Sequence, residues 1–165
     1  MQTVRFTPIP WEMLPDLGLY MDQVITLIER HFASYRGPDA SRALTPAMIN
    51  NYVKSGLIPR PSGKKYDRAQ LAMLIMVATL KQVASMEDIA KLISVEGSSA
   101  EALYTAFLAA QVQAAEAVSR EMAEGNTSAL QFAVQAAARS LASETLLKRE
   151  GGEPVAGGKK RKDAE

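Results

Sequence analysis

The sequence predicts a mainly α protein: a winged helix-turn-helix with a small β-hairpin wing, followed by a C-terminal antiparallel helical hairpin. Three observations carry this. Residues 44–74, LTPAMINNYVKSGLIPRPSGKKYDRAQLAML, read as a short capped helix, a Pro-bracketed turn and a longer helix. Basic residues gather around that short helix, although the whole chain of 165 residues has a formal net charge of only +1. Two Ala-rich stretches with apolar residues at helical spacing follow, separated by Gly125-Asn126-Thr127. The expected organisation is a DNA-binding domain with an N-terminal arm over residues 1–97, a helical hairpin over 98–150 and a flexible basic tail over 151–165.

The arm comes first. Pro8, Pro10 and Pro15 punctuate residues 1–15, which reads as an extended segment anchored by Phe6 and Trp11. Leu19, Val24, Leu27, Ile28 and Phe32 then recur at helical spacing up to Ser34, the pattern of a supporting amphipathic helix. The connector Tyr35-Arg36-Gly37-Pro38-Asp39 is longer than a tight turn.

Thr45 can cap the next helix, Pro46 sits at the first helical position where a missing N–H costs nothing, and Gly56 ends it. At about 100° per residue, Met48, Ile49, Tyr52 and Val53 share one side, while Ala47, Asn50, Asn51 and Lys54 share the other. The second face suits a DNA major groove. Asn pairs bidentately with adenine, and Lys reaches guanine or a phosphate. Asn50, Asn51 and Lys54 are therefore the expected base readers.

Leu57-Ile58-Pro59 and Lys64-Lys65-Tyr66 flank a Pro-Ser-Gly turn, the expected two-stranded wing. From Arg42 to Arg68 the charged residues are Arg42, Lys54, Arg60, Lys64, Lys65 and Arg68 against Asp67 alone. Arg42, Arg60, Lys64, Lys65 and Arg68 are the expected phosphate contacts with double-stranded DNA, since each neutralised phosphate releases counterions. Asp67 can cap a helix to about Val83, whose Leu71, Leu74, Ile75, Ala78 and Leu80 supply the main core. Ser85 with Asp88 caps a short helix to Ile93. Met73, Met76 and Met86 read as core filler.

The stretch 44–93 resembles the MerR-type winged helix: a short recognition helix, a glycine followed by Leu-Ile-Pro, a wing ending in Tyr66, and a helix ending at Lys81-Gln82-Val83-Ala84-Ser85-Met86-Glu87-Asp88-Ile89. It departs from that family in two ways. Asn50 and Asn51 occupy positions that usually carry Arg and Tyr toward the DNA backbone, and the wing is shorter. TPIPWEMLPDLGLYMDQVITLIE together with MINNYVKSGLIPRPSGKKY is similar to a bacterial family catalogued as domain of unknown function 1836, over most of residues 7–95. That resemblance implies a MerR-like DNA-binding fold and no established biochemical role.

Ser98 with Glu101 fits a capping box for a helix to Glu124, with Leu103, Phe107, Ala110, Ala114, Ala117 and Val118 along its stripe. A second helix is expected from about Ser128 to Arg149, with Leu130, Val134, Ala137, Leu141 and Leu146 or Leu147 inward. Such a hairpin needs a surface to pack on. Residues 99–149 therefore either join two copies into a homodimer or cover their own domain.

The chain has no cysteine and is 47% hydrophobic, which suits a core built without staples in a reducing cytoplasm and excludes thiolate metal sites. No apolar run approaches the roughly 20 residues of a membrane span. His31 stands alone, without a carboxylate pair at metal-ligand spacing or a phosphate-cradling Gly loop. No catalytic residue, metal or cofactor is expected, and no effector is indicated. The expected function is sequence-specific transcriptional regulation by promoter occupancy. The alternative is a protein-interaction module that keeps a winged-helix fold without specific DNA binding.

Overall fold

The computed structural model describes residues 7–36, 44–94, 99–125 and 127–150, the side chains of 34–36 excepted. They form α1 Met21–Arg36, α2 Pro46–Lys54, α3 Arg68–Leu80, α4 Met86–Leu92, α5 Ala100–Glu124 and α6 Ala129–Glu150, with a single 3-10 turn at Trp11–Met13. The chain divides into two compact units, Met1–Thr127 and Ser128–Glu165.

The first unit is built around α3. Its sequence, RAQLAMLIMVATL, has no polar stripe, and every residue from Gln70 to Ala78 is buried. A helix apolar on all sides must be covered on all sides. Val24, Ile28 and Phe32 of α1, Ile49 and Tyr52 of α2 and Ile89 of α4 share its core. Tyr104 of α5, which packs along α3, completes it with no exposed surface. The first unit therefore runs past residue 97, the boundary expected from the break in composition, and takes in α5. The stripe expected on α5 is met in part: Leu103, Phe107, Ala117 and Val118 are half-buried, with Leu103 and Phe107 packed against the core, but the face is centred nearer Tyr104. Tyr104 is buried and Leu108, Gln111 and Ala115 are half-buried, whereas Ala110 and Ala114 are exposed. The capping serine is Ser99, whose hydroxyl accepts from the Ala102 N–H at 3.1 Å. Ser98 lies outside the described residues.

The expected β-hairpin wing is absent from the described residues. Only two isolated bridges occur, Ser62 with Lys65 and Leu19 with Tyr66. The ribbon does not form because its two arms bond elsewhere. Tyr66 exchanges both backbone hydrogen bonds with Leu19, at 2.8 and 2.9 Å, and the Ile58 N–H returns to the Tyr52 carbonyl at 3.1 Å. What remains of the wing is a tight turn pinned to the segment before α1.

Gln70 holds that loop to α3. Its Oε1 accepts from the Asp67 N–H at 2.8 Å while Asp67 Oδ1 accepts from the Gln70 N–H at 2.8 Å, a reciprocal cap. Its Nε2 donates to the Pro59 carbonyl at 2.9 Å. The side chain is 4% exposed, so truncation strands buried polar groups. Gln70→Ala should cost about 1–3 kcal/mol in chemical denaturation.

Met73 and Met76 are buried as expected, but Met86 is 41% exposed, because the first turn of α4 faces solvent. His31 is 6% exposed and lies edge-on to Phe32 at 5.4 Å. Burial holds its pKa below the ordinary 6.5, so the unfolded chain binds the proton more readily. Stability should therefore be intact above about pH 6.5 and fall as pH drops below it. Thermal melts across that window should show a shallower acid slope for His31→Phe.

Candidate nucleic-acid interface

Helix α2 begins where expected. Thr45 accepts from the Met48 N–H at 3.3 Å, Pro46 follows at the helix start, and Ser55 caps the C-terminus. Nine residues make only two and a half turns, about 13 Å. Ile49 and Tyr52 are buried and Met48 and Val53 half-buried, which fixes the helix rotation. Asn50, Asn51 and Lys54 are all exposed on the opposite side together with Ala47. The three expected base readers therefore share one solvent face.

The cations beyond α2 divide into two groups. Arg60 and Lys64 are exposed. Lys65 is also exposed, yet its Nζ lies 5.1 Å from the centre of the Tyr20 ring, a cation–π contact. Arg68 is drawn further in. Its Nε donates to the Leu14 carbonyl at 3.0 Å and its guanidinium lies 5.8 Å from the centre of the Trp11 ring. Arg68 thus clamps the N-terminal segment to α3. Arg42 lies outside the described residues.

Local backbone chemistry aims the turn. Gly63 and Lys64 have φ of 55° and 63°, and the Lys65 N–H donates to the Ser62 carbonyl at 2.9 Å, the positive-φ pair of a tight hairpin turn. Glycine adopts this freely, whereas Lys64 is strained there. Gly18 lies against the turn from the other side. A Cβ at Gly18 would meet Lys65 Cβ at 2.9 Å, so only glycine lets the two segments approach this closely. Lys64 also stands on the rim of an open groove of about 660 Å³, near Asp22 and Glu29 of α1 and Pro46 of α2.

Sequence reasoning placed a wing here but missed what positions it. Gly18 and Tyr20 stand more than forty residues upstream, and neither belongs to a local turn pattern that would link it to Lys65. The arm was legible only in part. Trp11 anchors it as expected, 6.3 Å from Tyr104 ring to ring, but the second anchor is the Tyr104 hydroxyl donating to the Ile9 carbonyl at 2.9 Å. Phe6 lies outside the described residues. Burial pushes the Tyr104 hydroxyl above its ordinary pKa, so it stays a neutral donor.

Ile9 and the first turns of α5 also delimit the family match. The profile described as domain of unknown function (DUF1836) matches residues 9–107. The chain belongs to this family. The DUF1836 region thus starts at the carbonyl held by Tyr104 and ends at Phe107, whose ring stacks on Tyr104 at 6.2 Å. It contains α1 to α4, the basic turn and the part of α5 that closes the core, and it stops before α6. No curated protein and no solved structure matches the chain. Among the described residues, no helix is long and apolar enough to cross a membrane. None of them group three or more metal-ligating side chains around a common point.

Replacing Lys64 by Gly should relieve the left-handed strain. The gain is offset by the greater freedom of glycine in the unfolded chain, so the variant should be neutral to about 1 kcal/mol more stable. Lys64→Val, whose branched Cβ fits the left-handed region worse than lysine does, should instead lose stability in the same denaturation series.

Proposed function

We propose that this DUF1836 protein is a sequence-specific, double-stranded-DNA-binding transcriptional regulator that acts in the cytoplasm without catalysis. The observation that carries the reading is the shared solvent face of Asn50, Asn51 and Lys54 on a short capped helix beside an exposed basic turn. In this reading α1, α2 and the turn before α3 play the parts of a MerR-like helix-turn-helix, with the pinned turn in place of a wing. Asn50, Asn51 and Lys54 read base edges. Arg60 and Lys64 hold phosphates, with Lys65 beside them on its Tyr20 support and Arg42 at the start of the segment. Arg68 contributes indirectly, by fixing the arm to α3. Two copies joined through residues 99–149 would present two reading helices to two half-sites.

A second reading is a protein-interaction module of the same fold. The internal engagement of Lys65 and Arg68 favours it, since those cations then serve packing first. Binding decides between them. Fluorescence anisotropy of labelled DNA from the gene's own upstream region, against a scrambled duplex across a salt series, should show a preference for the upstream site. Absence of binding at low salt would select the interaction module.

Asn51→Ala should lower discrimination between site and scrambled DNA by about 1–3 kcal/mol with little change on scrambled DNA. Combined Arg60→Gln and Lys64→Gln should weaken both duplexes alike and reduce the salt slope by about 2, close to one unit for each phosphate that is no longer neutralised.

A further inference from the structure

The last helix carries an apolar face that the stripe expected from sequence placed inward. Leu130, Val134 and Leu141 are 73%, 60% and 64% exposed, and Ala137 between them is exposed too. At about 100° per residue the four lie within roughly 60° of arc, while Leu146 falls far outside it. Their spacing is 4, 3, 4. That is the seam of a helix made to pair with another helix.

We propose that α6 pairs with α6 of a second copy, antiparallel, through this seam. It narrows the two-copy expectation above to one helix and one orientation, and it does not depend on DNA binding. Three features favour a second copy in this orientation. First, a 4-3-4 spacing reads the same from either end, so a two-fold axis between Gln135 and Ala136 sets Leu130 against the second copy's Leu141 and Val134 against its Ala137. Each layer then matches a position with its complement, and the larger Val meets the smaller Ala. Parallel pairing would set Ala137 on Ala137 and leave a gap. Such a self-complementary contact closes after two copies.

Second, charge opposes the parallel arrangement. Between residues 128 and 147 the only charged residues are Arg139 and Glu144. Arg139 lies about 180° from Leu130, on the far side of the helix, but Glu144 continues the seam one step beyond Leu141. Parallel helices would stack Glu144 on Glu144. Antiparallel helices would separate the two carboxylates by about 25 Å, well beyond a physiological Debye length. Third, Gln131, Ala133, Ala138 and Ser140 border the seam, and none of these carries a charge that would repel its own copy. Three large side chains per copy fall short of the ~1,200 Å² of a standard stable interface. The pair should therefore be reversible and depend on protein concentration.

The chain's lack of cysteine makes orientation directly testable. Full-length Leu130→Cys and Leu141→Cys variants are oxidised gently, separately and as a mixture. Leu130 lies about 17 Å along the axis from its own copy in the antiparallel pair, too far for a disulfide. The mixture should thus cross-link several-fold more than either variant alone, and peptide mapping should find the 130–141 bridge. Efficient cross-linking of each variant with itself would overturn the proposal in favour of parallel pairing. Val134→Glu supplies an independent check. Light scattering should show the wild type moving from monomer toward dimer with concentration, and the variant remaining a monomer with unchanged circular dichroism. A wild type that is monomeric throughout would also overturn the proposal, whatever the anisotropy assay reports on DNA.

Discussion

Covering α3 is the constraint on which the rest of the first unit depends. A thirteen-residue helix with nine successive residues buried has no face that water can solvate, so the chain must bring other elements to it from every direction. The DUF1836 region supplies α1, α2 and α4 from within the fold. Tyr104 on α5 closes the remaining side, and Leu14 on the N-terminal segment enters the same core. The hydrogen bond from Tyr104 to Ile9 and the clamp from Arg68 to Leu14 then fix that segment in place. Elements separated by some ninety residues thereby become one cooperative structure.

The same packing determines what is left for the candidate interface. The turn after α2 is held by Gln70 below and by Leu19 at its side, so its backbone is satisfied without a strand partner. Once the turn is pinned, its cations no longer have equal freedom. Lys65 lies over Tyr20 and Arg68 over Trp11, while Lys54, Arg60 and Lys64 stay in solvent. The basic cluster of the sequence is thus partly a set of packing contacts. Cation–π contacts of this kind are worth about 0.5–1 kcal/mol at exposed sites, so they orient a side chain without removing it from reach of a phosphate.

What the sequence made legible was what short-range chemistry determines. Thr45, Pro46 and Ser85 announce helix starts through their own side chains or ring, and Ile49 and Tyr52 announce the buried face of α2 by their spacing. The wing failed because apolar residues flanking a turn describe two extended arms equally well whether they pair with each other or with something distant. Here Tyr66 pairs with Leu19, and no local pattern encodes that choice. The face of α5 was legible in part for a related reason. Leu103 and Phe107 pack against the core as their spacing suggests, but Tyr104 is the residue buried outright and Ala110 and Ala114 are exposed, and only the shape of the core beside α3 sets that centre. On α6, Leu130, Val134, Ala137 and Leu141 do share one face but Leu146 and Leu147 do not, and that face is exposed rather than inward, since periodicity identifies an apolar face without saying what covers it. Of the candidate site, the α2 face was legible in full, while the supports Gly18 and Tyr20 were not.

A chain of net charge +1 has no bulk attraction for a polyanion, so whatever binding the proposed interface achieves must come from a few well-placed groups. Among the described residues, Arg60, Lys64 and Lys65 offer about three phosphate contacts per copy, which corresponds to a salt slope of only about −3. That is modest for a regulator competing against the rest of a genome. Joining two such faces converts the second contact into an intramolecular event and doubles the number of counterions released. A weak, reversible helix pair suffices for this, because DNA with two half-sites would itself raise the effective concentration of one copy near the other. On this argument the near-neutral composition, the small basic face and the exposed seam of α6 are compatible with the proposed function, in which specificity would arise from assembling two marginal contacts.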